Sequence, residues 1–157
     1  MKAILLALSL AQPLPLSPAP PELSQLKWLI GDWSCRIQFH DPERSIVSRW
    51  TYALDLDGYC LTLTTQQLGG APGRAIAHIV WDASAKTFVQ LRVDKRSWMV
   101  LTRRSLDADH WDWIGTRTSQ EGQRPVLIHD TRKSDREFTF RNERDGRNTE
   151  EATCTRL

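Results

Sequence analysis

The chain is poor in several things that would have named a function. Its 157 residues hold only three cysteines, with no Cys-x-x-Cys pair and no paired Cys/His spacing of the kind that builds a zinc site. There is no Gly-x-Ser-x-Gly elbow, no Walker loop and no dinucleotide fingerprint. Net charge is slight, +2 with histidines neutral, which removes any global pull toward nucleic acid or anionic lipid. The one long apolar run, Ala3 to Ala11, is about half the length that spans a bilayer, so no stable membrane insertion is expected. Proline is scarce where it would interrupt strands: five of the eight prolines lie at or before Pro21.

That early stretch has its own logic. Lys2, the run containing Ile4, Leu5, Leu6, Leu8 and Leu10, and the small residues Ser9 and Ala11 have the order of a secretory signal, here residues 1–11. Residues 12–21, with Pro13, Pro15, Pro18, Pro20 and Pro21, read as an extended tether. The domain proper then covers 22–157, and a periplasmic or secreted location is expected.

Glu22 to Ile30 places Leu23, Leu26, Leu29 and Ile30 at offsets of three and four, which predicts one short amphipathic helix closed by Gly31. Beyond Gly31 the period becomes two: Trp33, Cys35, Ile37 and Phe39 alternate with Ser34, Arg36, Gln38 and His40. Further runs follow at Ile46 to Leu54, Tyr59 to Gln67, Arg74 to Trp81, Thr87 to Val93 and Trp98 to Arg103. His110 to Arg117, Pro125 to Arg132, Glu137 to Asn142 and Thr149 to Arg156 complete about ten. Turn-forming clusters such as Asp57-Gly58, Glu121-Gly122 and Asp145-Gly146 separate them. With no room for crossover helices the sheet is antiparallel, and closure removes its edges. The predicted fold is all-β: a closed antiparallel meander barrel of about ten strands with one short N-terminal helix. A two-sheet sandwich is the alternative.

The segment Leu26-Lys27-Trp28-Leu29-Ile30-Gly31-Asp32-Trp33, a short helix and then Gly-x-Trp opening the first strand, resembles the calycin superfamily of lipocalins, fatty-acid-binding proteins and nitrobindin-like barrels. Asp57-Gly58-Tyr59 and Val80-Trp81-Asp82 resemble small exported bacterial lipocalin-like proteins in particular. The resemblance implies that Trp33 packs across the closed end, and that the interior holds a small hydrophobic or amphipathic molecule. Nitrobindin-like proteins hold haem through a late histidine; none follows His129 here, so haem is not carried over and no cofactor is assigned.

In a closed barrel the first and last strands lie side by side, so Cys35–Cys154 is the preferred disulfide, leaving Cys60 free and buried. Cys35–Cys60, or three reduced thiols packed in the core, are the alternatives. Seven tryptophans against two tyrosines supply rings for packing or for stacking on a ligand. Ligand-facing candidates are Trp50, Gln90, Arg92, Trp98 and Trp111. Gln90 and Arg92 share one face of a strand whose other face carries Val89, Leu91 and Val93. Turned inward, Arg92 is a buried guanidinium of the kind fatty-acid-binding barrels offer a carboxylate; turned outward, the simpler reading, it is ordinary surface. Arg103-Arg104 and Arg132-Lys133 read as solvated rim charges. His78 and His129 are mid-strand, and either is able to project into the cavity. Asp112 shares a face with His110, opposite Trp111 and Trp113. No metal ligands and no catalytic residues are assigned. The expected function is ligand binding, with a barrel enzyme or a filled, partner-binding module as alternatives.

Overall fold

The computed structural model describes residues 18–70, 73–107 and 109–157. The leader segment, and the tether up to residue 17, lie outside the described residues. Ten antiparallel strands follow one another in chain order and shut on themselves: β1 (Gly31–His40), β2 (Glu43–Asp55), β3 (Cys60–Leu68), β4 (Arg74–Asp82), β5 (Thr87–Asp94), β6 (Ser97–Leu106), β7 (His110–Ser119), β8 (Gly122–Ser134), β9 (Glu137–Arg144) and β10 (Arg147–Arg156). β1 pairs with β10 as well as β2, so no edge strand remains. The barrel is closed. Among the described residues no helix is long and apolar enough to cross a membrane.

Inside the barrel the period-two pattern does its sorting. Trp33, Cys35 and Ile37 of β1, Trp50 and Tyr52 of β2, Leu61 and Leu63 of β3, and Phe138 and Phe140 of β9 are all buried. Trp33 sits near the centre of this set, its ring edge-on to Phe138 at 4.9 Å and its indole N–H donating to the Leu29 carbonyl at 2.7 Å. One end of the barrel is stoppered by residues Pro21–Leu29, which form a 3₁₀ helix. Leu23, Leu26 and Leu29 are its buried residues. A spacing of three residues eclipses side chains in a 3₁₀ helix, so all three leucines fall on one face. Ile30, which gave the pattern its α-like offset of four, leaves the helix as its C-cap.

The preferred disulfide is present: Cys35 and Cys154 face each other in the β1–β10 register and are bonded, while Cys60 is free and buried. The same seam is locked by Arg156. Its guanidinium lies 4.6 Å over the Trp33 ring, donates to the carbonyls of Trp28 and Ile30, and reaches the Asp135 carbonyl at 3.1 Å.

β6 and β7 approach so closely at Gly115 that a Cβ there would lie 1.9 Å from the Val100 carbonyl oxygen and 2.9 Å from Leu101 Cα. These are backbone atoms of a paired strand and have no free rotation to escape. Gly115→Ala is therefore expected to destabilise the fold by about 3 kcal/mol, read from urea denaturation. An unchanged midpoint would mean that the two strands have slack here.

Candidate functional site

The inner wall of the barrel is not uniformly apolar. On β5 the residues turned inward are Phe88, Gln90 and Arg92, with Phe88 fully buried and Gln90 nearly so. The face carrying Leu91 and Val93 is the exposed one. This corrects the simpler sequence reading of Arg92 as surface. The reason lies in the neighbours: Ala77 stands directly opposite Arg92 on β4 and is small enough to leave the guanidinium room. Outside, Val93 is flanked in register by Ile76 and Trp98, so the exposed face of this region is apolar.

Arg92 holds its guanidinium carbon 5.9 Å from the Trp50 ring centroid. Around it stand Tyr52 of β2 and Asp130 of β8, both of which feel its charge. Asp130 accepts a hydrogen bond from the Trp113 indole at 2.9 Å. Burial pushes its carboxyl up to about 7, with Asp112 adding to the rise, while the Trp113 bond, Arg92 and His110 oppose it. Burial also drives the Tyr52 phenol far above its ordinary value, with the nearby Asp130 adding to the effect. A carboxyl half-protonated near pH 7 is able to give or take a proton at neutral pH.

Arg103 is the second inward guanidinium, 4.7 Å over Phe88 and 5.9 Å over Trp111. Its reading as a rim charge is overturned. Alternation along β6 puts it on the same face as the buried Met99 and Leu101. Burial lowers its pKa below the usual guanidinium value.

Trp50 Nε1, Arg92 Nε and Arg103 Nη1 in this interior, like Trp28 Nε1 at the stopper, are buried and have no hydrogen-bond partner among the described residues. A buried donor left unpaired costs about 1–3 kcal/mol, more when charged, so each is a demand for an acceptor. Of the five residues singled out by sequence, Trp50, Gln90, Arg92 and Trp111 face the interior, and Trp98 stands outside at 45% exposure. Trp111 already spends its indole N–H on the Asp107 carbonyl at 3.0 Å, so its part in the wall is apolar. Sequence reasoning missed Asp130, Tyr52 and Arg103. Strand period alone would have put Asp130 with Val126 and Ile128.

No family model and no curated protein matches the chain. Among solved structures, a redesigned β-barrel matches with a TM-score of 0.50 at 14% identity, covering 83% of this chain and 93% of that one. The likeness is one of fold. It places the chain among closed antiparallel barrels and carries nothing about what the interior holds.

His78 and His129, expected as possible cavity residues, are both on the outer wall, because Ala77 and Ile79, and Ile128 and Asp130, take the inward positions beside them. His78 lies 3.6 Å from the Cys60 thiol. His129 borders a groove of about 1000 Å³ that runs across the outside of the wall from β7 to β1.

Proposed function

We propose that this chain is a calycin-like binding protein of an oxidising compartment that takes a small amphipathic molecule with an anionic headgroup into its barrel. The observation that carries the reading is the set of unpartnered buried donors on Trp50, Arg92 and Arg103. A carboxylate is the acceptor that suits them: it offers two oxygens to guanidinium groups and makes charge-assisted bonds about twice as strong as neutral ones. The rings of Trp50, Phe138 and Phe140 would meet its apolar part. The Gly31-Asp32-Trp33 opening supports the calycin likeness, and the Cys35–Cys154 disulfide fits an oxidising location.

Tryptophan fluorescence tests it. Titration with a long-chain fatty acid is expected to quench emission saturably, and the matching fatty alcohol is expected to bind at least tenfold more weakly. Arg92→Met should weaken the fatty acid by roughly 10- to 100-fold, the scale of a lost hydrogen bond to a charged group, and leave the alcohol nearly unaffected. Flat titrations with fatty acid, alcohol and haem alike would discard the reading. A barrel filled by its own rings, acting through its outside, would then take its place.

A further inference from the structure

The outer wall carries a second cluster, built by the same alternation that fills the core. Turning Trp111 and Trp113 inward turns His110 and Asp112 outward, and the β7–β8 register sets Asp112 opposite His129 and His110 opposite Thr131. One oxygen of Asp112, Oδ1, therefore stands 2.6 Å from His129 Nδ1 and 3.0 Å from His110 Nε2. The two imidazoles lie nearly parallel, 25° apart, with centroids separated by 5.9 Å. All three side chains are partly buried and border the groove.

Each ring has a second contact that fixes its orientation. The other nitrogen of His110, Nδ1, is 2.9 Å from the Thr131 hydroxyl. The other nitrogen of His129, Nε2, is buried, makes no hydrogen bond among the described residues, and lies 3.7 Å from Glu143 Oε1. Glu143 is itself held by Arg141 Nη2 at 2.6 Å. A carboxylate oxygen pinched between two imidazole nitrogens needs positive charge between the three atoms, supplied by protons or by a metal ion. The Glu143 carboxylate beside His129 Nε2 suits the metal. With a cation on Nδ1 the remaining proton sits on Nε2 and points toward the Glu143 carboxylate, the outer-shell arrangement that metal-bound histidines adopt.

We propose that His110, Asp112 and His129 bind a divalent transition-metal ion of the zinc class. The ligand atoms lie within 4.8 Å of one another. Around an ion at about 2.1 Å from each, ligands in a tetrahedron stand about 3.4 Å apart. Small side-chain rotations bridge that difference. Two imidazoles among three ligands select zinc, copper or nickel over magnesium and calcium, which want oxygen. Three protein ligands on an open wall leave the fourth position facing the groove, accessible to water or to an exogenous donor. The site lies on the opposite face of the same strands from the barrel interior, close enough for Asp130 to feel the charges of His110 and Asp112.

Calorimetric titration of the EDTA-stripped, dialysed chain with Zn²⁺ tests the assignment. The expected result is one ion per chain. His110→Gln and His129→Gln should each weaken binding at least tenfold, and Thr131→Val by about tenfold, the scale of an outer-shell loss. Cys60→Ser, which removes the free thiol beside His78, should leave affinity unchanged. Bound Cu²⁺ should show nitrogen hyperfine structure from two imidazoles in its paramagnetic resonance spectrum, and from one in His110→Gln. Absence of binding, binding that survives both histidine substitutions, or binding lost with Cys60 would overturn the site. Circular dichroism reports whether each variant keeps its strands. Should His129→Gln unfold, the more exposed His110 decides alone.

Discussion

Replacing Cys35 and Cys154 together by alanine is expected to lower the unfolding free energy by on the order of 4–5 kcal/mol, a third or more of what holds a typical domain folded. The bond spans 119 residues, so in the unfolded chain it removes nearly all the freedom of the two ends to separate. Both sulfurs are wholly buried at the seam where β1 meets β10, so the loss also leaves a small gap in the core. Urea denaturation of the native chain with and without dithiothreitol, beside the double variant, separates the two contributions. Reductant should give most of the loss and the alanines slightly more. The reading fails if reduced and oxidised chains unfold at the same urea concentration. Cys60→Ala serves as the control, because that thiol closes no loop.

The second large effect concerns the charge inside the barrel. Asp130 keeps its proton in the folded chain up to about pH 7, whereas in the unfolded chain it releases it near pH 4. Between those values the folded state holds a proton that the unfolded state has lost, so stability falls as pH rises through the window and levels off above it. Asp130→Asn removes this slope. Its amide oxygen still accepts from Trp113, and no charge is generated among Tyr52, Arg92 and Trp113. At pH 8, in EDTA, the variant should exceed the native chain by up to roughly 4 kcal/mol, and the two should converge below pH 4. Denaturation midpoints measured across pH 4 to 8 check it. Two parallel curves would show that water reaches the carboxyl and neutralises the burial.

Much of this architecture was legible in the residues. The change from a three-residue to a two-residue period at Gly31 marks the passage from stopper to wall, and the positions of Cys35 and Cys154 on the first and last strands anticipate their bond. What a period of two does not reveal is which face is the inner one. On β5 the outer face is the apolar one, with Leu91 and Val93 exposed, while Gln90 is buried and the partly buried Arg92 turns inward beside Ala77 and Trp50. Composition therefore pointed Arg92 the wrong way. The outer-wall trio was hidden for a different reason. His110-x-Asp112 puts two ligands on one face, but the third comes from the neighbouring strand, and only the register joins them. Counting seven residues outward from the Ser119–Gly122 pair beside the Gln120-Glu121 turn lands on Asp112 and His129. The Glu121-Gly122 turn signal is visible in the sequence; the register it sets between β7 and β8 is not.

Because the wall is shut by its two extreme strands, vectorial synthesis leaves the barrel open until β10 has been made. A ribosome releasing residues from the amino end can zip β1 to β2 and carry the meander through nine strands. Throughout, β1 keeps a bare edge and the stopper lacks the clasp of Arg156. Arg156 ends that vulnerable interval when it docks on Trp28, Ile30 and Trp33. A stop codon in place of Arg156 would strip away the clasp while sparing every ring of the core.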